Sequence, residues 1–554
     1  MHSDRGIALL FGLVGAIAVF FILSFYTGHA FAIDPPITIA VAFISIAAGW
    51  FFFSRVISAS ISALHFTPLV VLLTGITLLL CLSMPEGIFK NTCSDAYNHA
   101  RLVRLGAFNQ TIFANPLDSD TSISLWLPLH EYPLFWLGGF VAIEQFVHSS
   151  YAVLYVFSAF LILLTILGIY FLAREFSFGY EPLYAVIIGG YCVVQFFLLE
   201  HGFFPQVVGT FFSIWAFYFF QRRAFWPTVI LTAASWGYPP NFFALILFFG
   251  ASFLLDKNAA SVWKIHEKIG LFVASGLIVA LEAFELLVGR FAHLVSTGGL
   301  ELIRGGVAIP NPLLLLPFLF VFAYAKFVRR RDWPLPLVLF TLAIAFGIAY
   351  VIGGFLINYA LQFKKPQLHQ LYMAVKMLYF ILLPLSIFAA MGIAKAWQRL
   401  LSIRPLIVAI LVIHIALFAG FIFALPIERE NFPAPMYRIS DRLSDLPGPF
   451  TIGIDGNLLK NDYSIPFPYA SFIDVPDQGF SKCPIVEINR MWQFPWADSR
   501  LDWDQNYFRI WDPDANTLVI RYDDMNATYY VTSRSLDRSR IISDGGIYVY
   551  GPPG

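Results

Sequence analysis

The chain has 554 residues, of which apolar types make up 58% and charged types 13%, against about half and a quarter in soluble domains. That balance excludes an ordinary soluble protein. Lys+Arg and Asp+Glu both number 35, so net charge says nothing about partners and only the placement of charge informs.

Apolar runs of about 20 residues, enough to cross a bilayer, recur as far as residue 425. Arg5, the stretch Gly6–Phe25 and Ala30-Phe31-Ala32 resemble a signal peptide with its small-residue cleavage site. The apolar stretch exceeds a usual signal core, which favours an uncleaved first helix. Spans are predicted at 6–25, 35–53, 67–84, 150–173, 182–198, 205–220, 224–237, 239–255, 269–289, 309–325, 334–355, 374–394 and 405–425. Pro239 and Pro240 break any continuous helix between 224 and 255.

Segment 126–147 opens Trp-Leu-Pro-Leu-His-Glu-Tyr-Pro, and its apolar part is short for a crossing. Cytoplasmic loops carry the excess of Lys and Arg. If 126–147 lies on or dips into the outer leaflet, Arg5, Arg55, Arg174, Arg222, Arg223, Lys326 and Arg329–Arg331 all fall on one face. If it crosses, Arg174 and the Arg222-Arg223 pair fall opposite Arg5 and Arg55. The expectation is therefore about 13 crossings, a cytoplasmic N-terminus and an extracytoplasmic C-terminus, in a plasma membrane. The transmembrane domain is 1–425, with a long first outer loop over 85–147, and the soluble domain is 426–554.

In the outer loop, Asp95 and His99 are four apart and share a helix face, while Arg101 and Arg104 sit three apart on another. A carboxylate beside a histidine suits a general-base pair or two ligands of a divalent cation such as Mg or Mn. Two guanidinium groups suit a phosphate. An amphipathic surface helix with solvated charges is the plainer reading. Next come His130 and Glu131 between Pro128 and Pro133, the wall of a cavity or an interfacial turn. Glu200 and His201 stand in a turn made by Gly202 and Pro205. Glu282 and Glu285 share a face inside a span, roughly 20–25 Å above Lys268 at the helical rise. Ionisable groups within a span are functional candidates, and a structural pair with Arg290 is the alternative. Lys364, Lys365, His369 and Lys376 break the positive-inside pattern, which an anionic ligand or a headgroup anchor explains. His414 reads as a satisfied interior histidine.

Cys81 and Cys192 lie in expected spans. Cys93 and Cys483 lie outside, where a disulfide is chemically permitted. There is no zinc spacing, Walker loop or nucleophile elbow. After Pro426, β-branched and aromatic runs at 450–455, 517–522, 527–532 and 546–551 predict a small α/β or mostly β domain. Its tryptophans suit carbohydrate stacking and equally a packed core.

In layout the chain resembles the GT-C superfamily of membrane glycosyltransferases: many spans, a long first outer loop with an acidic residue just past a span, and an outer C-terminal domain. Locally the resemblance rests on Ser94-Asp95-Ala-Tyr-Asn-His99, on Glu131-Tyr132-Pro133-Leu134 and on the Tyr372/Lys376 segment. Two helices precede the span that would be that family's first. The resemblance implies transfer of a sugar from a polyprenyl-phosphate donor to a glycan, lipid or protein acceptor. Asp95 is then the base or metal ligand, Glu131 the reserve base, and Arg101, Arg104, Arg304 and Lys376 candidate phosphate holders. Two rivals stand beside it. A transporter or lipid flippase would use Glu282 and Glu285 near the midplane, and a non-catalytic assembly protein of the cell envelope would show no outward polar cavity.

Overall fold

The computed structural model describes residues 2–56, 63–83, 103, 106–107, 110, 135–147, 153–177, 179–193, 204–297, 312–360, 372–427, 452–454, 507–509, 519–522, 528–532, 534–544 and 546–551. All the helices described end by Ile427, and all the strands begin at or after Ile452.

The helices are α1 (His2–Ala30), α2 (Pro35–Phe53), α3 (Ala63–Ser83), α4 (Phe135–Val147), α5 (Ser158–Phe176, preceded by a π turn at Val153–Phe157), α6 (Glu181–Val193), α7 (Phe204–Gln221) and α8 (Phe225–Ala234). They continue with α9 (Pro239–Leu255), α10 (Lys257–Val262), α11 (Ile265–Thr297), α12 (Phe320–Phe327, after a 3-10 run Pro312–Leu319), α13 (Leu335–Ala360), α14 (Tyr372–Arg399) and α15 (Arg404–Ile427). Each of the predicted spans thus holds helix. Among the described residues, five stretches are long and apolar enough to cross a membrane: Arg5–Ala30, Pro35–Phe53, Val153–Phe176, Leu335–Gly353 and Lys376–Arg399. Shorter apolar helices lie at His65–Leu78, Phe135–Val147, Pro239–Leu255, Leu315–Phe327 and Leu401–Leu417. The count of 13 crossings therefore rests on the sequence, and the described residues supply five.

Local chemistry explains the element boundaries. Asp34 caps α2, its carboxylate accepting from Ile37 N at 2.8 Å, with prolines in the first turn where no donor is needed. The expected break before Pro239 is present. A 3-10 turn at Ser235–Gly237 ends α8, Tyr238 is extended, and Pro239 starts α9. After α7, Arg223 takes φ 60° while Ala224 N reaches back to Phe219 O and Arg223 N to Phe220 O. That is a Schellman turn with arginine at the left-handed position usually given to glycine.

Helix α7 is the axis of the bundle, buried along its whole length from Phe204 to Phe220, as an all-round apolar helix requires. Its aromatics meet Phe11 of α1, Phe171 of α5, Phe248 of α9 and Phe340 of α13. Outside it, α2 and α11 turn apolar side chains such as Phe43, Ile46, Ile269, Val273 and Leu277 outward, the surface a lipid environment covers. Helices α1 and α2 cross with backbones in contact: a Cβ at Gly49 would overlap Ala16 N and Gly12 O. Small residues at such crossings replace hydrophobic drive with close packing.

The strands are β1 (Ile452–Ile454), β2 (Tyr507–Arg509), β3 (Val519–Tyr522), β4 (Tyr529–Thr532), β5 (Arg540–Asp544) and β6 (Ile547–Tyr550), in the order β2-β3-β1-β4-β6-β5. β1 runs parallel to both β3 and β4, and the other pairings are antiparallel. Four of these match the predicted runs. β2 and β5 were not predicted; Arg-Ile-Ile-Ser-Asp in β5 carries charges at both ends and pairs only along one side.

Candidate functional site

Among the predicted site residues, Glu282 and Lys376 are described with their side chains, and Glu285 and Tyr372 by their place in α11 and α14. Asp95, His99, Arg101, Arg104, His130, Glu131, Glu200, His201 and Arg304 lie outside the described residues, as do Lys364, Lys365, His369 and the pair Cys93 and Cys483. What the structure gives is the helix ends that border them.

Glu282 is 3% exposed, and its Oε1 accepts from Phe135 N at 2.8 Å. Phe135 is the first residue of α4, so a buried carboxylate from α11 satisfies a donor that the helix itself leaves open. Beside it the Tyr26 hydroxyl of α1 donates to Ile278 O, one turn before Glu282. Phe25 meets Phe135 ring to ring at 5.1 Å, and Gly138 of α4 sits directly on the Phe25 backbone.

The contacts continue around this end. Gly237, at the α8–α9 break, lies against Val208 of α7 and Trp136 of α4. Tyr238 covers Gly209. Gln206, in the first turn of α7, donates from Nε2 to the Lys376 carbonyl of α14 at 2.6 Å, and Tyr155 of the π turn packs edge-on to Phe204. Asn241 Nδ2 donates to Thr210 Oγ1 at 3.2 Å. The amide oxygens of Gln206 and Asn241 are buried with no protein partner among the described residues, acceptors that suit a hydroxyl donor. Hence Phe25 and Tyr26 near the end of α1, the α8–α9 break, the first turns of α4 and α7, the start of α14 and mid-α11 meet at one end of the bundle.

Helix α4 lies across that end. Its first residue is held by Glu282, and near its last turn Gln145 Nε2 donates to Ala107 O at 2.7 Å. Ala107 is a turn away from Gln110, whose carbonyl accepts from Ile33 N between α1 and α2. Thirteen residues give a length of about 20 Å, short of a crossing. Nine of them are buried, Glu144 among them. Glu144 was not singled out by sequence; a lone acid in an apolar run was its only signal.

The opposite end is built differently. Arg222 Nη2 pairs with Glu175 Oε1 at 2.9 Å, linking the ends of α7 and α5, and His65 Nδ1 lies 3.0 Å from Tyr170 Oη. His414, expected as an interior histidine, is buried in α15. Among the described residues no group of three His, Cys, Asp or Glu is placed to hold a metal ion; Asp95 and His99 fall outside that set.

A largely helical chain whose described residues include five helices long and apolar enough to cross a membrane, with a small strand-bearing C-terminal region, is an integral membrane protein. The sequence matches no family profile and no curated protein. Among solved structures, the chain is similar to an archaeal oligosaccharyltransferase, AglB from Archaeoglobus fulgidus, solved in complex with an inhibitory peptide and a dolichol-phosphate. Identity is 14% and the TM-score 0.36, over 75% of this chain and 64% of that one. This chain thus spans less than two thirds of that protein's length.

Proposed function

We propose that the protein is a membrane glycosyltransferase of GT-C type, moving a sugar from a polyprenyl-phosphate donor to a glycan, lipid or protein acceptor on the outer face. The observation that carries the reading is the meeting of helix ends around Glu282, Trp136, Gln206 and Lys376. Those ends border three polar segments that the sequence scatters over the chain, His130–Glu131, Glu200–His201 and Tyr372–Lys376, and meet a fourth, Glu282–Glu285, in the middle of α11. Chain connectivity keeps Glu131 within about 14 Å of Phe135. A transfer site needs such a gathering at one end, with a carboxylate to activate a hydroxyl and basic groups to hold the phosphate. In this reading Asp95 is the base, or with His99 a ligand of a divalent cation. Glu131 is the alternative base, and Arg101, Arg104, Arg304 and Lys376 hold the donor phosphate. A transporter would need Glu282 to serve a moving ion, yet its carboxylate holds main chain.

The test is sugar transfer by the protein in native lipids from a panel of polyprenyl-phosphate sugars, wild type beside Asp95→Asn. Transfer by the wild type and its loss in a folded variant is the expected result. Transfer that survives Asp95→Asn moves the base to Glu131. Absence of transfer with every donor and with supplied acceptor extracts overturns the reading.

A further inference from the structure

Helix α4 is tied at both ends by side chains that bond to main chain. Upstream of its first residue, by four and five positions, are Glu131 and His130. Near its last turn Gln145 grips Ala107, three positions after Arg104 and eight after His99. From Phe135 to Gln145 is ten helical steps, or about 15 Å.

We propose that α4 is a strut fixing the separation between Phe135 and Ala107, the described points nearest in sequence to the two polar segments of the outer loop, with Glu282 and Gln145 as its positioning residues. The inference rests on the transferase reading for its functional consequence but not for its geometry. Three observations carry it. The Glu282 bond is to main chain, Phe135 N at 2.8 Å, so it fixes where the helix begins and not merely where a side chain points. The Gln145 bond is also to main chain, Ala107 O at 2.7 Å. Between them the helix has no slack: Gly138 and Gly139 lie directly against Phe25 and Phe21 of α1, and Trp136 and Phe140 are fully buried. A carboxylate at a helix N-terminus gains from both the hydrogen bond and the peptide dipoles. An amide at the same place keeps the hydrogen bond alone. The role assigned to Glu282 is therefore acceptor first and charge second, the reverse of what an ion pathway requires.

The experiment is hydrogen–deuterium exchange on the full chain in lipid nanodiscs, run beside the transfer assay, for wild type, Glu282→Ala, Glu282→Gln and Gln145→Ala. In Glu282→Ala, exchange in the first turn of α4 should rise about tenfold, the equivalent of one lost hydrogen bond. Exchange in α7 should stay at the wild-type level, showing that the bundle is intact. Glu282→Gln should remain close to wild type, and Gln145→Ala should loosen 103–112 without loosening the first turn of α4. With a donor that reacts, Glu282→Ala should lower kcat and leave KM for the donor unchanged, and Glu282→Gln should restore kcat. Unchanged α4 exchange in Glu282→Ala overturns the strut. So does a Glu282→Gln variant as impaired as the alanine one, which would make the charge the working part. If the wild type transfers no sugar, the exchange pattern still decides the strut while the transferase reading falls alone.

Discussion

The two ends of the helix bundle differ in the polar contacts that join their segments, although Asn241 and Thr210 meet side chain to side chain at the α4 end and Lys268 reaches the Ala260 carbonyl at the other. At the α4 end, Glu282, Gln206, Gln145 and Tyr26 each bond to the main chain of another segment. At the other end, Arg222 and Glu175, and His65 and Tyr170, meet side chain to side chain. The first pattern appears where backbone is interrupted: α4 begins inside protein, and α8 stops short of α9. Interrupted backbone in an apolar surrounding leaves donors and acceptors that must be met by neighbouring side chains. The second pattern joins one helix to another through side chains alone. An end with interrupted backbone can build a site; an end with paired side chains holds the bundle while it does so.

The largest effect expected from this contrast is on stability alone. Arg222→Ala takes the nearer cation from the half-buried Glu175, leaving Arg174 to act on it, and should cost about 2 kcal/mol. Activity per folded molecule should stay unchanged. Thermal unfolding in detergent, with Glu175→Gln added to recover part of the loss, checks it. A fall in specific activity as large as the fall in stability would erase the distinction between the two ends.

Gln206→Leu should do the reverse. It removes the bond to the Lys376 carbonyl, worth about 1–2 kcal/mol, and frees the start of α14 beside the proposed phosphate-holding lysine. Transfer should drop by more than stability does, which donor titration at fixed protein measures. Smaller still is Arg223→Gly. Relieving a left-handed arginine at the Schellman turn should raise stability by about 1 kcal/mol with no change in transfer. A loss there would mean that the arginine's charge outweighs its backbone strain.

Sequence alone reached the helices and the break at Pro239, because span length and proline chemistry are local. It also reached four strands, whose β-branched and aromatic runs are local as well. It did not reach β5, whose end charges look like loop until β6 pairs with it. Nor did it distinguish Gln206 from any other polar residue near a turn. What matters about Gln206 is a carbonyl 170 positions away, and a sequence shows the donor without the acceptor. Glu282 was legible as an unusual acid in a span. Its partner, the amide of Phe135, has no side-chain signature.

The sheet order bears on how the chain is made. β1 takes both its neighbours, β3 and β4, from residues 519–532, and β4 in turn pairs with β6 at 547–550. A ribosome that has just released residues 452–454 has supplied the central strand and none of its partners. The sheet therefore closes only when β3 to β6 have emerged, and a chain cut short before them leaves an unpaired strand for a protease or chaperone to find.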